Sequence, residues 1–188
     1  MPREGRAWER RRLEAPYVRT AGPATTGPRM GSSHVIGLIS DTHGLVRPDV
    51  FLAFEGVEAI YHAGDVGGRE VLHILSKIAP VQAVYGNTDL RDDPSLCGQF
   101  TETTDGVTVH VSHGHELGSP APSGLLARYD AQVIVYGHTH RPLVVESGGR
   151  LVVNPGAAGP RRFHLMPSVA RLTIREGRAT VELVDLPV

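Results

Sequence analysis

The sequence predicts an α/β fold in which strands and helices alternate first and antiparallel hairpins follow. Between residues 34 and 91, short apolar runs alternate with helical patterns, which is typical of βαβ units with a parallel sheet. After Pro94 the apolar runs come in pairs around short polar turns, which indicates hairpins. Five of the apolar runs end at glycine-containing turns that carry Asp, Asn or His. Polar side chains are therefore expected at one edge of a sheet.

The first part of the body is predicted to contain three strands and two helices. Residues 35–40, 59–64 and 81–86 are short apolar runs bounded by turn residues, which indicates strands. Residues 48–56 and 69–79 are the predicted helices. In the second helix, Val71, Leu72, Leu75 and Ile78 recur at the spacing of one helix face.

The second part is predicted to consist mainly of hairpins. Residues 99–112 form two strand-like runs around Asp105 and Gly106, a two-residue turn signal. A short helix near residues 122–129 and a strand over 132–137 follow. Residues 142–156 turn around Gly148 and Gly149, and residues 168–186 turn at Glu176 and Gly177.

Length and composition indicate one domain. With 188 residues, 40% hydrophobic and 21% charged, the chain can bury a single core. No apolar run approaches the roughly 20 residues that a membrane-spanning helix needs, so no membrane partner is expected. The single cysteine, Cys97, excludes an internal disulfide and favours a reducing, cytoplasmic location.

The first 33 residues differ from the rest in charge and pattern. They carry seven Arg and three Glu, a net charge of +4, whereas residues 34–188 have a net charge of −5. They lack both a sustained apolar period and the apolar region of a secretory signal. We therefore expect residues 1–33 to be a disordered or non-native tail, with Met30 as an alternative start, and residues 34–188 to form the domain. Although Arg-rich tails can bind nucleic acid, we favour a dispensable tail.

Seven side chains of metal-binding type lie on the polar turns in a fixed order. They are Asp41, His43, Asp65, Asn87, His113, His138 and His140. Three carboxylate or amide oxygens and four imidazoles are too many for one tetrahedral zinc site. The set suits two metal ions that share a bridging carboxylate.

The order of the motifs resembles a known family. The blocks DTHG, GDVGG, GNTD, SHGHELG and GHTHRP look like those of the calcineurin-type metallophosphoesterases. The short length and the NPGAAGPRR segment at residues 154–162 are most similar to the small YfcE-type phosphodiesterases of bacteria and archaea. The resemblance covers residues 34–188. It implies a four-layer α-β-β-α sandwich of two mixed β-sheets flanked by helices, with metals at the strand ends.

The resemblance also implies a role for each potential ligand. One ion would be held by Asp41, His43 and His140, and the other by Asn87, His113 and His138, with Asp65 bridging them. His138 and His140 are two residues apart, so an extended segment would place both on one face. Two such ions would activate a bridging water as hydroxide and clamp the phosphoryl oxygens. The residues implied in catalysis are Asp65, Asn87, His113 and His115.

The sequence departs from larger relatives after the Gly-Asn pair. Those relatives have a His there that protonates the leaving group, whereas this chain has Thr88, as small YfcE-type proteins commonly lack the His. Asp89 then has no imidazole to orient, and a turn or helix cap is its ordinary role.

After Asn154-Pro155-Gly156, this chain has Ala157 where relatives often have Ser, so a hydroxyl contact is not expected.

Several other polar residues are candidates for supporting roles. Arg141, Arg161 and Arg162 are candidate phosphate contacts because guanidinium binds phosphate in bidentate fashion, and exposed, solvated arginines are the alternative. His115 is placed to orient a ligand or to meet substrate. His62 and His110 lie within apolar strands, where core or supporting histidines are the expectation.

The predicted function is hydrolysis of small phosphate diesters with two divalent metal ions. Imidazole and oxygen ligands suit Mn, Fe, Ni or Zn, and we expect Mn. Small phosphate esters or nucleotides are the expected substrates, with a homo-oligomer left open. The alternatives are a phosphomonoesterase or nucleotide phosphatase, and a protein-binding scaffold like the retromer subunit of the same fold. All seven potential ligands are kept, which favours the enzyme.

Overall fold

The computed structural model describes residues 33–162 and 164–187, in which ten strands and three α-helices form. The first part contains β1 (Ser33–Ile39), α1 (Asp49–Ala53), β2 (Ala59–His62), α2 (Arg69–Leu75) and β3 (Val81–Ala83). The second part contains β4 (Gln99–Thr104), β5 (Val107–Ser112), α3 (Pro122–Arg128), β6 (Val133–Val135), β7 (Leu143–Ser147) and β8 (Arg150–Asn154). The last two strands are β9 (Ser168–Arg175) and β10 (Arg178–Asp185). Each predicted helix and strand is present, with ends that differ by a few residues.

The first sheet has the strand order β10-β9-β1-β2-β3. β1, β2 and β3 run parallel to one another, as the alternation of strands and helices predicts. β9 pairs antiparallel with β1, and β10 with β9, so the last hairpin of the chain completes the sheet that the first strands begin.

The second sheet has the strand order β4-β5-β6-β8-β7. The hairpins β4–β5 and β7–β8 are antiparallel, as predicted. β5, β6 and β8 are parallel to one another. The sheet is therefore mixed, since each hairpin contributes one strand to a central parallel group.

Three apolar clusters separate four layers. Alternate residues of β1, β2 and β9 pack against alternate residues of β5, β6 and β8, which forms the core between the sheets. A second cluster joins the outer face of the first sheet to α1 and α2, and a third joins the outer face of the second sheet to α3. The predicted four-layer α-β-β-α sandwich is confirmed.

The predicted tail at residues 1–33 lies almost wholly outside the described residues, so that expectation and the single-domain boundary at residue 34 stay predictions. None of the helices in the described part of the chain has the length and apolar character needed to cross a bilayer.

Candidate metal centre

The five polar turns all lie at the carboxyl ends of parallel strands. Asp41 and His43 follow β1, Asp65 follows β2, Asn87 follows β3, His113 follows β5, and His138 and His140 follow β6. Carboxyl ends of parallel strands meet at one edge of a sheet. The two sheets face each other, so the turns of both sheets converge in one place.

Four of the seven predicted residues form a compact cluster. One ligand atom from each of Asp41, His43, Asp65 and His140 lies within 4.8 Å of the others. His140 Nε2 lies 3.2 Å from Asp41 Oδ1, and His43 Nε2 lies 3.8 Å from Asp65 Oδ2. The two Nε2 atoms of His43 and His140 are 3.5 Å apart. These are the residues assigned to the first ion, together with the bridging carboxylate.

Asn87 and His113 lie on the other side of Asp65. His113 Nε2 is 3.5 Å from Asp65 Oδ1 and 3.2 Å from Asn87 Oδ1. His113 Nδ1 is 2.7 Å from the carbonyl oxygen of Ala63, so it donates its proton there, and Nε2 is the nitrogen that would bind a cation after losing its proton. The two carboxylate oxygens of Asp65 thus face different histidines.

The ring of His138 lies next to that of His113 in this second group. The ring centroids of His138 and His113 are 5.2 Å apart in an edge-to-face arrangement. His138 Nε2 lies 3.1 Å from the carbonyl oxygen of Gly118, so Nδ1 is the nitrogen that would remain for a cation.

The prediction that His138 and His140 share a face of an extended segment is wrong. Both residues have left-handed backbone angles, with φ of 65° and 56°. The N–H of the intervening Thr139 donates to the carbonyl of Gly137 at 2.7 Å, so the chain turns tightly here. A turn, and not an extended strand, brings the two imidazoles to different parts of the cluster.

Close contact between the two sheets requires glycine at position 137. A side chain there would overlap Ser40 Oγ and come within 2.9 Å of Asp41 Oδ2. The Asn154 side chain then holds this turn, since its Nδ2 donates to the carbonyl of Gly137 at 2.7 Å and to Thr139 Oγ1 at 3.0 Å. Asn154 lies at the end of β8, so the motif after that strand supports the turn after β6.

The Asp41 turn is held by backbone bonds to two other segments of the chain. Asp41 N–H donates to the carbonyl of Gly64, and His43 N–H donates to the carbonyl of Asp65, both at 3.0 Å. Gly159 N–H donates to the carbonyl of Asp41 at 3.2 Å. The turn after β1 and the turn after β2 are therefore joined by hydrogen bonds between their backbones.

His62 supports the same junction from the core, as expected for a histidine within an apolar strand. It is fully buried, and its Nε2 lies 2.9 Å from Thr42 Oγ1, which in turn donates to the carbonyl of Val66 at 2.8 Å. Since the hydroxyl proton is used there, His62 Nε2 is the donor. Burial lowers the pKa of His62 to about 4, so the ring is neutral at pH 7.

The donor set fits a bound cation. Asp41 Oδ1 is buried and accepts no hydrogen bond from the described residues, although it faces His140 Nε2. A buried carboxylate oxygen without a donor is costly, and a metal ion would satisfy it. Burial lowers the pKa of His43, with the Asp65 and Asp41 carboxylates opposing, which favours the neutral ring that binds metals.

Asp65 and His113 are coupled electrostatically. Burial opposes ionisation of Asp65, but hydrogen bonds from His113 and from the N–H of Thr88 outweigh it and lower the carboxyl pKa. Burial likewise opposes the charge on His113, but Asp65, Asp41 and the Ala63 carbonyl together raise its pKa. Positive charge is therefore favoured beside Asp65.

The predicted substrate contacts differ in their surroundings. Arg162 Nη2 lies 3.5 Å from His43 Nε2, which places this guanidinium beside the four-residue cluster. Arg161 lines a small pocket next to His140, and Arg141 is exposed. His115 is half-buried, and its ring lies 5.3 Å from that of His113 and 6.4 Å from that of His138.

Sequence reasoning missed the partners of Asp89. Its carboxylate accepts the N–H groups of Val66, Gly67 and Gly86, each at 2.9 Å. The bond from Gly86 fits the turn role that the sequence predicts for Asp89, but the other two donors belong to a turn more than 20 residues away. No local sequence signal marks such a bond.

The chain is similar to known phosphoesterases over most of its length. The family model described as the calcineurin-like phosphoesterase superfamily domain matches residues 35–177. A probable metallophosphoesterase of Methanocaldococcus jannaschii is 33% identical over 156 residues, which cover 78% of this chain and 79% of that protein. A phosphodiesterase of the same organism is 32% identical over 142 residues, covering 64% of this chain and 82% of that protein.

Solved structures show the same fold at lower identity. The structure of vacuolar protein sorting 29 from Cryptosporidium parvum superposes with a TM-score of 0.68 at 20% identity. The match covers 83% of this chain and 99% of that one. At this identity the likeness concerns the fold alone.

Proposed function

This chain belongs to the calcineurin-like phosphoesterase superfamily, and we propose that it is a metal-dependent phosphoesterase that hydrolyses small phosphate diesters. The observation that carries the proposal is the convergence of Asp41, His43, Asp65 and His140, where a buried Asp41 oxygen accepts no hydrogen bond from any residue that the structure describes. The name of the M. jannaschii phosphodiesterase supports the choice of diesters.

Two ions are proposed, with Asp65 between them. Asp65 Oδ2 faces His43 at 3.8 Å, and Asp65 Oδ1 faces His113 at 3.5 Å, so one carboxylate serves both groups of ligands. Asp41, His43 and His140 would hold the first ion. Asn87, His113 and His138 would hold the second. Imidazole with carboxylate and amide oxygens suits Mn, Fe, Ni or Zn, and Mn is the proposed activator.

When bound, two divalent ions supply positive charge that activates water and stabilises the phosphoryl transition state. The chain's own residues supply placement. Arg162 lies beside His43, where its guanidinium can pair with an anionic ester oxygen. Burial and the neighbouring His113 lower the pKa of His115, which favours the neutral ring.

Hydrolysis of chromogenic esters tests the proposal. Protein stripped by chelation and reloaded with Mn, Ni, Zn or Mg is assayed on bis(p-nitrophenyl) phosphate and on p-nitrophenyl phosphate. We expect Mn to restore activity and the diester to be preferred. Higher kcat/KM on the monoester would favour the phosphomonoesterase alternative, and full activity in stripped protein would overturn the metal requirement.

Asp65→Asn is the matched variant for the shared carboxylate. It keeps the side-chain shape but removes the charge that both groups of ligands face, so activity is expected to fall by at least about 100-fold. Unchanged turnover of Asp65→Asn at limiting Mn would contradict the bridging role.

A further inference from the structure

Asp89 joins two turns of the site through its carboxylate. Oδ2 accepts the N–H of Val66 and the N–H of Gly86, and Oδ1 accepts the N–H of Gly67, all at 2.9 Å. Val66 is adjacent to Asp65, and Gly86 is adjacent to Asn87. One side chain therefore bonds the backbone next to each of two proposed metal ligands.

A hydrogen bond also runs from the Asn87 turn to the carboxylate of the Asp65 turn. The N–H of Thr88 donates to Asp65 Oδ1 at 2.9 Å, so each turn supplies a carboxylate that the other turn's backbone binds. Gly86 allows this approach, because a side chain at that position would overlap the Asp65 carboxylate. The spacing between the turns is thus set by three charge-assisted bonds that cross between them and by one close contact, while the Gly86 bond to Asp89 fixes the second turn internally.

The position of Asn87 depends on how its turn is held. Asn87 is exposed, in contrast to Asp65 and His113, which are buried. Its side chain nevertheless lies 3.2 Å from His113 Nε2. A residue at the surface keeps such a position when the backbone on both sides is anchored, and Gly86 and Thr88 are the anchored neighbours.

We infer that Asp89 is a positioning residue that holds Asp65 and Asn87 at the separation needed to bind the second metal ion. The inference rests on the proposed metal-dependent function, and it assigns to Asp89 a role other than orienting an imidazole. Thr88 provides no ring for Asp89 to orient. The Asp89 carboxylate instead accepts three backbone N–H groups.

Three variants separate placement from charge. Asp89→Asn turns an amide NH₂ towards N–H donors, so the turns separate, and Asp89→Glu keeps the charge but moves the carboxylate by one methylene. Asp93→Asn is the matched control, because Asp93 lies on the same loop and accepts bonds from Arg69 and Ser95. None of the Asp93 bonds among the described residues reaches a proposed ligand.

The first readout is binding of Mn²⁺ to stripped protein by calorimetry, without substrate. We expect Asp89→Asn and Asp89→Glu to weaken one of two binding events by about 10–100-fold and Asp93→Asn to leave both unchanged. Wild-type binding by Asp89→Glu would overturn the inference, since charge alone would then explain the role. If the wild-type protein binds Mn²⁺ and the Asp89 variants bind it more weakly, but the wild-type protein hydrolyses no ester, the proposed function is rejected and this inference stands.

The second readout needs no metal. Hydrogen exchange of the Val66, Gly67 and Gly86 amides in the stripped protein is expected to speed up in Asp89→Asn and to stay unchanged in Asp93→Asn. Equal exchange rates in the two variants would overturn the inference, even if the wild-type protein bound no metal at all.

Discussion

At the scale of single residues, the site is built on strained backbone. Five of the seven predicted ligands have left-handed angles: Asp41, His43, Asp65, His138 and His140. A non-glycine residue in this region costs about 1 kcal/mol or more and persists only where surrounding contacts hold it. Here the backbone bonds between turns provide that support. The side chains are therefore placed before any ion binds, which lowers the cost of binding.

Thr88 determines the first prediction. With no imidazole to protonate the departing oxygen, kcat/KM should depend steeply on leaving-group basicity, so aryl diesters should be cleaved far better than alkyl esters. Thr88→His should recover little activity on alkyl esters, because Asp89 is already bonded to three N–H groups. The measurement is kcat/KM across a leaving-group series. A flat dependence would mean that another acid acts, with His115 the first candidate.

His62 determines a prediction on pH. Its folded pKa of about 4 lies below the ordinary 6.5, so the unfolded chain binds more protons between these values. Stability is then fully present above about pH 6.5 and falls as pH drops towards 4, by about 3 kcal/mol from this group. In stripped protein, His62→Gln should show a shallower loss of unfolding free energy over this window. Parallel curves for the two proteins would exclude His62 as the cause.

At the scale of elements, short strands and tight turns determine the geometry. β2, β3 and β6 have only three or four residues each, yet their carboxyl ends carry Asp65, Asn87, His138 and His140. Each of these turns is bonded to a turn from another strand. The β6 turn, for example, is held by Asn154 at the end of β8 and packs against Ser40.

Gly137→Ala tests this close packing. An added Cβ would overlap Ser40 Oγ, so we expect unfolding free energy to fall by about 1–3 kcal/mol and metal binding to weaken. Gly124→Ala is the control, since outside its own helix none of the described residues comes within 4 Å of a Cβ at that position in α3, and it should stabilise by about 0.5–1 kcal/mol. Chemical denaturation measures both. Equal effects would show that the turns have room to separate.

At the scale of the whole molecule, the site joins the two sheets. Asp41, His43, Asp65 and Asn87 come from the first sheet, and His113, His138 and His140 from the second. The unfolded chain brings none of these turns together. Binding of metal is therefore expected to stabilise the packing of one sheet on the other.

Mn²⁺ should accordingly raise the melting temperature. At a free concentration of 100 times Kd, one ion that binds only the folded state adds about 2.7 kcal/mol, or about 5–10 °C for a chain of this size. Thermal melts with Mn²⁺ and with a chelator measure the shift, and Asp65→Asn should reduce it. A shift that is just as large in Asp65→Asn would place the ion elsewhere.

Local sequence patterns predict the helices, the strands and the turns that carry the site. Apolar periodicity, glycine-containing turns and Asp or His after each strand are local signals, and they located every α-helix and strand of the described residues to within a few residues. Three features are absent from these local patterns: β9 and β10 complete the first sheet beside β1, His138 and His140 lie on a left-handed turn, and Asp89 binds the Asp65 turn. These features depend on hydrogen bonds between residues far apart in the chain. Such bonds form only when distant segments of the chain meet in the folded protein, so no pattern of neighbouring residues records them.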